Sequence, residues 1–102
     1  MSIKKQLLKS KPECKVTFAV DKKTIGQARQ VTLVGDFNGW DQKNMPFTKL
    51  KNGSFKTAIN LAIGKEYQFR YLIDGKNWIN ETDADKFVPS GVSNEENAVI
   101  TL

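Results

Sequence analysis

The clearest structural signal in the chain is at residues 67–75, which read Tyr67-Gln68-Phe69-Arg70-Tyr71-Leu72-Ile73-Asp74-Gly75. Tyr, Phe, Tyr and Ile occupy every second position of the first seven residues, and this period of two is typical of a β-strand with one buried face. Asp-Gly accepts the positive φ that a tight hairpin turn requires. The stretch therefore predicts a β-hairpin that returns the chain toward Trp78 and Ile79.

Other short extended segments surround this hairpin. The same reasoning predicts strands at residues 14–20, 31–34, 46–50, 55–61 and 98–102. Asn52-Gly53 supplies a second hairpin turn, whereas the acidic residues 81–96 are rich in turn formers. Seven short strands without a long helical pattern favour an all-β, immunoglobulin-like antiparallel β-sandwich, with a five-stranded OB-fold barrel as the alternative.

The length and the N-terminal pattern set the domain organisation. A chain of 102 residues that is 39% apolar is expected to form one domain. Near the N-terminus, Ile3, Leu7 and Leu8 have helix-like spacing before Pro12, which predicts a short docked helix or a frayed tail. We therefore expect a basic N-terminal segment at residues 1–13, followed by the sandwich at residues 14–102.

The net charge of +5 is unevenly distributed. Residues 1–30 hold 8 Lys and Arg against 2 Asp and Glu, whereas residues 31–102 hold 8 against 9. Nucleic-acid-binding proteins usually place basic and aromatic residues on one face, so this separation argues against nucleic acid as a partner. No apolar run approaches the roughly 20 residues that span a bilayer, and no leader pattern follows the first lysines. We expect a monomer that does not contact membranes and is located in the cytoplasm.

The residue types present exclude several kinds of catalysis. The chain has no histidine and one cysteine, Cys14, so common metal-ligand sets and histidine-based acid–base catalysis are missing. Cys14 lies in a predicted strand and is expected to be a small buried residue. A glycosidase would need two carboxylates in a cleft, but Glu81, Asp83 and Asp85 are interpreted as solvated loop charges. We expect no catalytic residue, no metal and no cofactor.

Two tryptophans suggest a binding function. Trp40 follows the turn of residues 35–39, and Trp78 follows the Asp74-Gly75 turn. Aromatic residues in turns are often exposed, and a flat indole packs well against the C–H face of a sugar ring. Arg70 lies on the polar face of the strand that leads to Trp78, from which it can donate hydrogen bonds to sugar hydroxyls.

Four ordered blocks of the sequence resemble one known family. They are Val31-Thr32-Leu33-Val34-Gly35-Asp36-Phe37-Asn38-Gly39-Trp40, the stretch at residues 67–75, Trp78, and Glu96-Asn97-Ala98-Val99-Ile100. Together they resemble carbohydrate-binding module family 48, the early-set, immunoglobulin-like domains of isoamylases, glycogen-branching enzymes and the β subunit of AMP-activated protein kinase. The resemblance extends over about residues 14–102 and is greatest to small stand-alone bacterial members.

The resemblance implies a non-catalytic module that binds α-1,4-glucans such as glycogen, starch or maltooligosaccharides. It implies that Trp40 and Trp78 stack on glucose rings and that Arg70 and Asn97 contact hydroxyls. Val92 stands where relatives have a leucine that inserts against sugar rings. The first alternative is an early-set module that docks an enzyme of glycogen metabolism, through its basic N-terminal segment, without binding sugar.

Overall fold

The computed structural model describes residues 1–91 and 95–102. These residues form nine strands, a single helical turn, α1 (Lys22–Ile25), and a 3₁₀ turn at Asp36–Asn38. None of the helices in these residues is long and apolar enough to cross a bilayer. The strands are β1 (Ser2–Leu7), β2 (Glu13–Val20), β3 (Val31–Gly35), β4 (Thr48–Lys49), β5 (Phe55–Ala62), β6 (Glu66–Ile73), β7 (Asn77–Ile79), β8 (Lys86–Pro89) and β9 (Glu96–Thr101).

The strands form two antiparallel sheets that pack as a sandwich. The first sheet has the order β1-β2-β5-β4, and the second has the order β3-β6-β9-β8, with β7 also paired to β6. Both predicted hairpin turns are present, between β4 and β5 and between β6 and β7. Asp74 and Gly75 have φ values of 52° and 69°, which is the positive φ that favours such residues in a tight turn. The prediction of an immunoglobulin-like sandwich is confirmed.

The hydrophobic core lies between the two sheets. The alternation in β6 is confirmed, because Phe69, Tyr71 and Ile73 belong to the core while Arg70 lies on the outer face of the second sheet. Phe18 of β2 packs edge-on against Phe69, with ring centroids 5.3 Å apart, in the tilted geometry that aromatic pairs favour. The other buried members of this core are Cys14, Val16, Val20, Ala28, Val31, Leu33, Phe47, Phe55, Leu61, Ala98 and Ile100.

Strand β6 is the central element of the second sheet. One of its edges pairs with β3 from Phe69 to Ile73. Its other edge is shared, because β9 pairs with it as far as Phe69 and β7 takes over from Tyr71. Arg70 therefore lies at the junction where one neighbouring strand gives way to the other.

The N-terminal segment is a strand and not the helix or tail that the spacing predicted. β1 pairs with β2 over its whole length, with Ile3 opposite Phe18 and Leu7 opposite Cys14. A spacing of four residues places two side chains on one side of a helix, but also on one face of a strand. A short isolated helix is marginally stable in water, whereas pairing with β2 satisfies the backbone groups along one edge of the segment.

Side-chain contacts also join β1 to the second sheet. Lys5 Nζ donates to Asp85 Oδ2 at 2.6 Å, and the backbone N–H of Ile3 donates to Asp83 Oδ2 at 3.3 Å. Burial raises the pKa of Asp85, but the hydrogen bonds from Lys5 and from the Thr101 amide outweigh it, so that its pKa lies below the ordinary value. Asp83 and Asp85 thus act as anchors for the N-terminal strand.

The predicted turn-rich region at residues 81–96 contains a further strand. β8 lies at the edge of the second sheet, where it pairs with β9 from Lys86 opposite Val99 to Pro89 opposite Glu96. Proline is tolerated on an edge strand, because its missing N–H can face away from the ladder. The prediction of a turn-rich region without a strand is therefore wrong at residues 86–89, because Pro89 ends an edge strand.

Glu81 is a second correction in this region, because it is completely buried and not a solvated loop charge. Its Oε1 accepts the Tyr71 hydroxyl at 2.8 Å, and its Oε2 accepts the backbone N–H of Asp83 at 2.8 Å. Burial, followed by the charge of Glu81, raises the pKa of Tyr71 well above its ordinary value. The phenol therefore stays protonated and donates to Glu81.

This pair generates a stability prediction. Tyr71→Phe removes the hydroxyl that Glu81 accepts from and should lower the free energy of unfolding by about 1–3 kcal/mol, the usual cost of an unsatisfied buried polar group. The matched control is Tyr67→Phe, whose hydroxyl bonds the carbonyl oxygen of Ala62 at 2.8 Å at the surface and should cost less. Urea unfolding of both variants measures the difference, and equal losses would contradict the structural role of Glu81.

Candidate functional site

An open groove of about 430 Å³ runs across the outer face of the second sheet. It is lined by Asp36, Trp40, Gln68, Arg70, Trp78, Ser90, Glu95 and Asn97. The structure therefore places four of the five predicted site residues on one surface. Val92, the fifth, lies outside the described residues.

Trp40 is presented by a tight turn directly after β3. Gly39 and Trp40 have φ values of 65° and 61°, and this left-handed conformation is strained for a residue with a large side chain. Asn38 holds the turn, since its Oδ1 accepts the N–H of Gly35 and its Nδ2 donates to the carbonyl oxygen of Leu33. The backbone of Trp40 closes it by donating to the Gly35 carbonyl oxygen at 2.9 Å.

Asp36 fixes the indole ring of Trp40. One carboxylate oxygen accepts the Nε1–H of Trp40 at 3.0 Å, and the other accepts the backbone N–H of Gln68 at 2.8 Å. The same side chain thus ties the turn after β3 to the start of β6. From the sequence, Asp36 is only one residue of a turn, because its bond to the backbone of Gln68, 32 residues away, leaves no local signal.

Trp78 is the exposed member of the pair. It lies on β7 directly opposite Leu72 of β6, and 38% of its surface is accessible. By strand register, Val34, Leu72 and Val99 face the same side of the second sheet as Arg70, yet each is almost completely buried. The second sheet therefore carries a second, thin apolar layer on the side opposite the main core.

Arg70 forms the polar centre of the groove. It is 9% exposed, and three of its N–H groups donate to Asn97 Oδ1 at 2.7 Å, to Glu95 Oε2 at 2.7 Å and to the carbonyl oxygen of Glu96 at 2.8 Å. Asn97 donates in turn to Gln68 Oε1 at 3.0 Å. These charge-assisted contacts fix the guanidinium plane, so its remaining N–H groups have a set direction before any ligand arrives.

Asn80 was missed by the sequence analysis, although it joins β7 to β9. Its Nδ2 donates to the carbonyl oxygen of Glu96 at 2.7 Å, and its Oδ1 accepts the backbone N–H of Ala98 at 3.2 Å. An adjoining recess of about 320 Å³ is lined by Asn80 and Glu96 and shares Arg70, Trp78 and Glu95 with the groove. The concave surface of the groove therefore extends into this recess.

The chemistry of the groove favours a neutral polar ligand. Two indole rings provide apolar surface, while the side chains of Gln68, Arg70 and Asn97 supply hydrogen-bonding groups between them. The carboxylates of Asp36 and Glu95 line the same groove, so it would repel a polyanion such as nucleic acid. In the described part of the chain, no three Cys, Asp or Glu side chains gather in a way that could hold a metal ion.

A family model described as the glycogen recognition site of AMP-activated protein kinase matches residues 13–100. The matched region contains every residue that lines the groove. A search of curated proteins finds no match.

The contact between Asp36 and Trp40 can be tested without a ligand. Asp36→Ala removes the acceptor of the Trp40 indole N–H, so the Nε1–H resonance should move upfield and exchange faster with solvent. The indole resonance of Trp78 is the internal control. Among the described residues, Asp36 bonds to Trp40 and Gln68 and not to Trp78, so the Trp78 signal should stay unchanged. Two-dimensional ¹H–¹⁵N NMR measures both signals, and an unchanged Trp40 resonance would refute the contact.

Proposed function

The chain belongs to the family described as the glycogen recognition site of AMP-activated protein kinase, and from this premise we propose that it is a non-catalytic module that binds α-1,4-glucans. Glycogen, starch and maltooligosaccharides are the expected ligands. The observation that carries the proposal is that Trp40 and Trp78, which are 38 residues apart in sequence, line one groove that also contains Arg70 and Asn97.

In the proposed complex, the two indole rings stack on the C–H faces of glucose units. Stacking needs an aromatic ring that is exposed and held in place, and the Asp36 contact supplies the second condition for Trp40. Trp78 supplies the larger exposed area. We propose that the chain of sugars runs from one tryptophan toward the other along the groove.

Hydrogen bonds from the floor of the groove would set the register of the glucan. Arg70 uses three N–H groups within the protein, and its other donors can reach sugar hydroxyls. Asn97 holds the guanidinium through its Oδ1, so its first role in the proposal is to position Arg70. Two stacked rings with a few exposed hydrogen bonds correspond to a Kd of about 10 µM to 1 mM.

The proposal is tested by native gel electrophoresis in gels with and without glycogen. The wild-type protein should be retarded by glycogen, and both Trp40→Ala and Trp78→Ala should migrate as if glycogen were absent. Leu7→Ala is the matched control, since Leu7 is 67% exposed on β1 and outside the groove, and it should be retarded like the wild type.

Circular dichroism of each variant separates loss of binding from loss of folding. A folded Trp78→Ala variant that is still retarded would refute the assigned site. A wild-type protein that glycogen does not retard would refute glycogen binding itself.

The alternative function is docking of an enzyme of glycogen metabolism without sugar binding. It is supported by the outer face of the first sheet, which turns away from the groove and carries the lysines Lys4, Lys15 and Lys56 by strand register. A basic face of this kind would favour an acidic protein surface.

Salt dependence distinguishes the two functions. Between about 0.05 and 0.5 M NaCl, glucan affinity measured by isothermal titration should change less than about twofold, since stacking on a neutral sugar is hardly screened. Docking through lysines would weaken steeply over the same range. Strongly salt-dependent binding of glycogen would contradict the stacking proposal.

A further inference from the structure

A second cavity, of about 410 Å³, lies at one end of the sandwich, between α1 and the turn that joins β4 to β5. Two separate stretches of the chain form it, and it shares no lining residue with the groove. Its lining residues are Lys22, Gly26, Gln27, Ala28, Lys49, Lys51, Asn52 and Gly53.

The charge of this lysine cavity is the opposite of that of the groove. Three of its lining residues are lysines and none is acidic. The four ion pairs found among the described residues leave Lys22, Lys49 and Lys51 without a carboxylate partner. The cavity therefore presents concentrated positive charge that the described protein does not neutralise.

Packing, and not pairing with acids, positions two of the lysines. The side-chain stem of Lys22 lies over Gly53, where a Cβ built on the glycine would come within 2.9 Å of Lys22 Cδ. The Nζ of Lys49 lies 5.8 Å from the ring centroid of Phe55, which is a cation–π distance. The nearby carboxylate of Asp21 is occupied by the Thr24 hydroxyl and the N-terminal amine.

Uncharged donors complete the lining. Asn52 Oδ1 accepts both the N–H of Ser54 at 3.0 Å and its hydroxyl at 2.6 Å. These contacts leave the Nδ2 amide of Asn52 as the group available to a ligand. Gln27 adds a second side-chain amide on the opposite side of the cavity, from the segment that follows α1.

We propose that the lysine cavity binds a phosphate monoester of a small sugar. Lysine ammonium groups are common phosphate ligands, and several N–H donors can share the three acceptor oxygens of a phosphate. The volume lies within the range of small-molecule sites and exceeds what a phosphate alone requires. The two amides are suited to hydroxyl groups, which gives the sugar part of the ligand its contacts. This site is independent of the glucan groove.

The test follows ¹H–¹⁵N NMR spectra of the full chain during titration with glucose 6-phosphate, inorganic phosphate and glucose. Glucose 6-phosphate should give saturable shifts at the amides of Gly26 and Gly53. Replacing both Lys22 and Lys51 by methionine keeps the length of the stems and removes two charges, so the affinity should fall about tenfold or more. Lys15→Met, on the distant outer face of the first sheet, should bind like the wild type.

Several outcomes of these titrations would contradict the proposal. No saturable shift with glucose 6-phosphate, or unchanged affinity in the folded double variant, would overturn the proposal. Equal affinity for inorganic phosphate would overturn the assignment of a sugar ligand, and equal affinity for glucose at the same amides would overturn the role of the phosphate. Trp78→Ala should leave the titration unchanged, and its loss of binding there would show that the groove is responsible instead.

Discussion

The guanidinium of Arg70 occupies the one place where β6 passes from one neighbouring strand to the next, and the second sheet depends on it there. A buried charge is tolerated only when it is paired and hydrogen-bonded, and Asn97, Glu95 and the Glu96 carbonyl oxygen meet that requirement. All three acceptors come from β9 or the residue before it. The contacts that join Arg70 of β6 to β9 are therefore also part of the groove, so the fold and the shape of the groove cannot vary independently.

Hydrogen bonds also hold in place the two elements that carry the tryptophans of the groove. Asp36 connects the turn that presents Trp40 to the backbone of β6, and Asn80 connects β7, which carries Trp78, to β9. Trp40 is thereby tied to β6, and the strand that carries Trp78 is tied to β9. A ligand that stacks on both rings meets a surface that is already ordered, and little conformational entropy is lost on binding.

Much of the fold could be predicted because its signals are local. The alternation at residues 67–73 and the two hairpin dipeptides depend only on neighbours in sequence. The N-terminal strand could not be predicted, because the spacing of Ile3 and Leu7 fits two periodicities and pairing with β2 decides between them. Glu81 looked solvated within an acidic run, since nothing local shows that the hydroxyl of Tyr71 reaches it.

The candidate site divides in a similar way. The tryptophans and Arg70 stand out by residue type and by position in turns or on a polar face. Asp36 and Asn80 do not, because they also bond to β6 and β9, which lie far along the chain. Side chains that face a ligand are thus easier to find from sequence than side chains that hold other side chains in place.

The position of β1 has a consequence for the protein in concentrated solution. β2 is an eight-residue strand with regular apolar alternation, and β1, which precedes the residues matched by the family model, covers its edge. An uncovered strand of that kind is a template for aggregation between molecules, whereas a short strand bearing two lysines is a poor one. Lys4 and Lys5 thus oppose aggregation, because they place positive charge on the edge strand of the first sheet. The Ile3 N–H of that strand is already bonded to Asp83.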